Sequence, residues 1–143
     1  AICFAPDRIH AYFTDTTTGI VQRVPLDRTG WPSGAPQVFL DLSAEGLHPD
    51  GAVTADDGTL WIAQWGAGRV AAYSAAGAFL RAVPVPARNP TCPAFGGIDF
   101  RDLHVTSATQ GLSAAELQDG GKHGQTFVLH DLAQGRAEPR VIL

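Results

Sequence analysis

The sequence predicts an all-β protein, a part of a β-propeller, and three observations predict it. Sixteen glycines and ten prolines punctuate 143 residues, a composition that favours turns and short strands over long helices. Apolar and polar residues alternate over short stretches such as Ala11-Tyr12-Phe13-Thr14-Asp15, the period of a strand with one buried face. Three segments also share one grammar: ICFAPDRIHAYFTDT, GAVTADDGTLWIAQW and CPAFGGIDFRDLHVTSA. Each runs from an apolar stretch through a polar turn into an alternating strand, and self-similarity at long period is the signature of a repeat architecture.

Taken in order, the first unit turns at PDR into a strand over Ala11–Asp15, turns again at TTTG, and continues through IVQRVPL and PQVFLDL. The second turns at ADDG into Leu60–Gln64, then at GAGR, and continues through VAAYSA and FLRAVPVP. The third turns at GGIDFRD into Leu103–Ser107, and QTFVLHDL and RVIL supply its last two strands. Each unit is thus a four-stranded antiparallel meander. Asp7, Asp56 and Asp57 are expected to do no more than make hairpin turns. SAAELQ offers Ser113 as an N-cap with Glu116 three residues on, enough for one or two helical turns inside a connection.

The spacing is 49 residues from Tyr12 to Trp61 and 43 from Trp61 to His104, in the range of propeller blades. Blades are expected at about 1–43, 44–87 and 88–143. Three blades do not close a ring of typically four to eight, so two apolar blade faces need a cover, either an N-terminal half-propeller or a second copy of the chain. The start at AICFAP, apolar and without methionine, carries the expectation that sequence lies upstream.

Fourteen acidic residues face ten basic ones, a net charge of −4, and the basic residues are scattered singly. Nothing here neutralises successive phosphates, so nucleic acid is not an expected partner. The apolar low-charge run VAAYSAAGAFL has eleven residues, short of the roughly 20 that cross a bilayer. A cytoplasmic protein with no membrane partner is expected. Cys3 and Cys92 have no CxxC spacing and are read as free thiols, by default buried and neutral.

Pro49-Asp50-Gly51 stands ahead of the second hairpin. On three letters alone it is a turn tripeptide, with Pro setting φ and Gly supplying a positive φ, or it is a metal ligand at the mouth of a strand. The surrounding PDGAVTADDGTLWIAQWGAGRV, followed by TCPAFGGIDFRDLHVTSA, resembles the C-terminal half of the senescence marker protein / regucalcin / gluconolactonase family. The likeness extends over AICFAPDRIHAYFTDT and GWPSGAPQVFLDL. It implies a six-bladed propeller that hydrolyses a sugar lactone with one divalent cation in its central channel: calcium first, with zinc, magnesium or manganese as alternatives.

In that family the cation is held by a Glu, two Asn and the PDG Asp, and only the last carries over, onto Asp50. The slot before Ala1, Asp50 and Thr91 are equivalent in successive units. The resemblance implies that Asp50 is a metal ligand and, secondarily, the base that activates water or relays a proton, with the cation polarising the lactone carbonyl. His48, Trp65, Thr91 and Cys92 are the candidate substrate contacts. Trp61 is read as core. His10, His104, His123 and His130 are read as structural. No GxSxG elbow supports a serine hydrolase. The alternative function is a non-catalytic calcium-binding or interaction propeller, or an inactive half-propeller, and residues 1–143 alone are expected to be inactive.

Overall fold

The structure is a computed structural model that describes residues 1–138; the RVIL strand expected at 140–143 lies outside them. The first sheet comprises β1 (Ile2–Phe4), β2 (His10–Asp15), β3 (Ile20–Pro25) and β4 (Gln37–Asp41), hydrogen-bonded in chain order. The second comprises β5 (His48–Thr54), β6 (Leu60–Trp65), β7 (Arg69–Tyr73) and β8 (Phe79–Pro84), again in chain order. The third holds β9 (Asn89–Gly96), β10 (Asp102–Ala108) and β11 (Thr126–Leu129), three strands among the described residues. Every pairing is antiparallel. The first strands of the sheets lie side by side, β1 against β5 and β5 against β9. The chain is therefore all-β, three successive blades of a propeller.

Turn chemistry explains the hairpins. Asp15 Oδ1 accepts from the Thr17 N–H at 3.0 Å and from its hydroxyl at 2.8 Å, and Gly19 takes the positive φ of 73° that closes the turn. Asp7 and Asp57 act likewise, each accepting a backbone N–H two residues on, from Ile9 and Thr59. The helix at SAAELQ forms as one turn, α1 (Ala114–Leu117), with the reciprocal Ser113–Glu116 capping box.

The second sheet is the middle layer of the core. Leu60, Ile62, Ala71 and Tyr73 pack against Cys3, Tyr12, Val21, Leu40 and Leu42 of the first sheet. Trp61, Val70 and Ala72 pack the other way, against Leu103 and Val105 of the third. Covered on both faces, β6 is buried from Leu60 through Gln64, which is why it reads as nearly continuous apolar sequence. Gln64 is tolerated there because its amide is satisfied: Nε2 donates to the Tyr73 hydroxyl at 3.1 Å and Oε1 accepts from Arg69 Nε at 2.6 Å.

Among the described residues the two outer faces differ from each other. The free face of the first sheet is apolar: Ala11, Val24 and Leu26 cluster there with Phe13, flanked by Ile2 at 76% exposure and Trp31 at 72%. In the third sheet Leu103, Val105, Phe127 and Leu129 turn toward the second sheet. Strand alternation then sends His104, Thr106, Thr126 and Val128 to the far side, a mixed surface of small and polar groups.

Candidate functional site

Asp50 stands near the start of β5, and the register shows how it is aimed. Pro49 pairs with Gln64 and Ala52 with Ile62, so Asp50 and Gly51 together oppose the single residue Ala63. This is a β-bulge, which bends the strand and redirects a side chain. Pro49 is accommodated because β5 is the first strand of its sheet, with one edge free of ladder bonds within that sheet. The PDG tripeptide is thus inside a strand. Gly51 does not have the positive φ of a turn glycine; it is required for close approach. A Cβ there would lie 2.5 Å from the Thr91 carbonyl oxygen and 2.6 Å from Cys92 Cα.

The third sheet repeats the bulge. Val105 pairs with Pro93 and Ser107 with Pro90, leaving Thr91 and Cys92 opposite Thr106. Asp50 and Thr91 occupy equivalent places, as the repeat predicts.

Around Asp50 the β2–β3 hairpin, the end of β6 and the start of the β10–β11 connection enclose an open depression lined by Thr16, Thr17, His48, Asp50, Trp65 and Gln110. Asp50, half-buried, accepts at Oδ1 from the Thr16 hydroxyl at 3.3 Å. His48 Nδ1 lies 3.3 Å from the Thr16 carbonyl, which can only accept, so this nitrogen carries the proton. Trp65 is the register partner of His48 and presents a half-buried ring. Asp50 is the one carboxylate among the lining residues.

Of the candidate residues, the structure brings together His48, Asp50 and Trp65. Thr91 is outside the depression: its hydroxyl is engaged by Thr106 Oγ1 at 2.6 Å, and the same oxygen accepts from the Cys92 N–H at 3.2 Å. Cys92 is exposed rather than buried, since the bulge it forms with Thr91 carries it away from the second sheet's core. Partial burial of the thiol, and then the negative charge of Asp50, raise its pKa. Cys3 is buried in the core and pushed up to about 12 by desolvation. Both cysteines are free. Thr16, Thr17 and Gln110 escaped the sequence reading: TTTG signals only a turn, and Gln110 sits in a connection without periodicity.

Among the described residues no group of three or more His, Cys, Asp or Glu could hold a metal ion. The donor set, one carboxylate with hydroxyl and amide oxygens nearby, suits a hard cation that prefers oxygen. It fits one contribution to such a site and falls short of a complete one.

Three propeller blades with an acidic residue at the mouth of the middle inner strand define the class of protein. Residues 1–109 match the family described as SMP-30/Gluconolactonase/LRE-like region, and the chain belongs to it. It is 40% identical over 139 residues to the 6-deoxy-6-sulfogluconolactonase of Pseudomonas putida, covering 96% of this chain and 47% of that one. With the L-arabinolactonase of Azospirillum brasilense the identity is 36% over 142 residues, covering 98% and 46%. The crystal structure of a calcium-binding protein, regucalcin, from Agrobacterium tumefaciens superposes with a TM-score of 0.96 at 41% identity, over 100% of this chain and 49% of that one. The chain spans about half the length of the curated relatives it matches.

Proposed function

We propose that the chain is the C-terminal half of a lactonase, a propeller that opens the ring of a sugar lactone by hydrolysis of its ester. The observation that carries this reading is the placement of Asp50: a bulge on an innermost strand aims a carboxylate into a depression that also offers hydroxyls and an aromatic wall. Relatives named for lactonase activity support it.

Asp50 is proposed as a metal ligand first and a base second. When bound, the divalent cation, calcium in first place, would supply Lewis-acid polarisation of the lactone carbonyl. Asp50 would supply one of its oxygen ligands and, in its second role, take a proton from the attacking water. Thr16 donates to the carboxylate and restrains its rotation. The Trp65 ring forms the apolar wall for the sugar carbons, and His48 stands at the rim to bond a hydroxyl. Thr91 and Cys92 remain proposed only as contacts at the edge of the neighbouring strand. The remaining ligands and the cover for the apolar face of the first sheet would come from other blades of the same protein or from a second copy. Accordingly, residues 1–143 alone are expected to be inactive.

The test is hydrolysis of aldonolactones by the intact protein with added calcium, zinc, magnesium or manganese. Wild type should turn over, and Asp50→Asn should lower kcat at least about 100-fold. A second reading, a non-catalytic calcium-binding propeller, is favoured by the likeness to a protein named for calcium binding. Calcium binding by wild type without turnover of any aldonolactone would decide for that reading.

A further inference from the structure

On the rim that holds Asp50, the connections within the first two sheets are short, residues 16–19 between β2 and β3 and residues 66–68 between β6 and β7. In the third sheet the corresponding connection runs from 109 to 125. A connection of this length is uncommon, and this one, which holds only the single helical turn α1, is pinned along its course. Asn89, 3% exposed, donates from Nδ2 to the Gln110 carbonyl at 3.0 Å. The Lys122 N–H donates to the Pro86 carbonyl at 2.9 Å, and the Arg88 N–H to His123 Nδ1 at 3.2 Å. Arg88 pairs with Glu116, and the Ser107 hydroxyl donates to the Gln125 carbonyl at 2.7 Å.

The segment's contribution to the Asp50 depression is Gln110. Its backbone is fixed by the buried Asn89, while among the described residues its side-chain amide makes no hydrogen bond. A neutral amide with two donors and one acceptor matches a hydroxyl, which both donates and accepts, and adds no charge beside Asp50. Fixing the backbone in advance reduces the ordering cost when the side chain engages a ligand.

We propose that Gln110 is a specificity-determining residue that reads a ring hydroxyl of the lactone, with Asn89 as the residue that positions it. This rests on the lactonase reading above. A lactone without hydroxyls offers the amide no partner, so discrimination between hydroxylated and plain lactones is the property that Gln110 controls.

The experiment compares a hydroxylated aldonolactone with δ-valerolactone on the intact wild-type protein and on Gln110→Leu. The ratio of kcat/KM between the two lactones should fall about fivefold to tenfold, the equivalent of one net hydrogen bond, with the loss carried by KM for the aldonolactone. Asn89→Ala should shift the ratio in the same direction. Gln110 is exposed, so its replacement leaves the fold intact, which thermal unfolding verifies. An unchanged ratio in a protein that hydrolyses lactones overturns the inference and leaves the lactonase reading standing. Calorimetric binding of glucitol separates the two ideas: if wild type hydrolyses neither lactone, glucitol binding that Gln110→Leu weakens supports the hydroxyl-reading role alone. Glucitol binding that is absent, or equal in both proteins, then overturns both.

Discussion

In the second sheet Asp50 and Gly51 bulge against Ala63, whose side chain has nothing to bond, and the carboxylate is left for the neighbouring hairpin and the open depression. In the third sheet Thr91 and Cys92 bulge against Thr106, and its hydroxyl takes up both the Thr91 side chain and the Cys92 amide. One backbone device thus yields a polar group free to meet a ligand in one blade and a self-satisfied pair in the next. The opposing residue makes the difference, because a polar group that already has a close partner must lose that bond before it can serve a ligand.

The largest expected effect comes from the glycine that lets the two bulges approach. Gly51→Ala places a methyl against the backbone of Thr91 and Cys92, and overpacking of this kind should cost about 3 kcal/mol in urea unfolding of the intact protein. Because the colliding atoms include backbone, adding Cys92→Gly should not restore stability; full rescue would show that only the two side chains are in conflict.

Next in size is Thr106→Val, which removes the hydroxyl's bonds to the Thr91 side chain and to the Cys92 N–H and carbonyl and should cost about 1 kcal/mol, these groups being partly solvated. It should leave the kcat of the intact protein unaltered, since the Asp50 depression does not include Thr106. A fall in kcat comparable to that of Asp50→Asn would mean that the two bulges act as one unit.

The smallest effect is electrostatic. Burial and then Asp50 raise the Cys92 thiol pKa, so less thiolate is present at a given pH than for a free cysteine, and alkylation is slowed. In chelator-treated protein, Asp50→Asn removes the negative charge, lowers that pKa and should move the iodoacetamide pH–rate profile of Cys92 to lower pH. No displacement of the profile would contradict the proximity of the two groups. Cys3, deep in the core, should react only on unfolding.

How much was legible follows from how local each signal is. The turn at Asp15-Thr16-Thr17-Thr18-Gly19 and the Ser113–Glu116 capping box could be read because their partners lie within a few residues of one another. Pro49-Asp50-Gly51 could be recognised as special but not explained: its glycine looked like a turn residue, whereas its role depends on how closely β9 packs. Cys92 was expected to be buried, and the face it occupies is set by the bulge beside it.

The sequence by itself determined the three repeats, the strand order within the first two meanders, the family, and Asp50 as the residue to watch. These rest on periodicity, turn chemistry and the likeness of continuous segments. Only the tertiary structure decided that Thr16 reaches Asp50 across 34 positions of chain, that Gln110 joins them from another sheet, and that Thr91 is occupied by Thr106. Those contacts arise where the ends of strands from different blades converge, and convergence depends on how whole sheets pack, which no local propensity encodes.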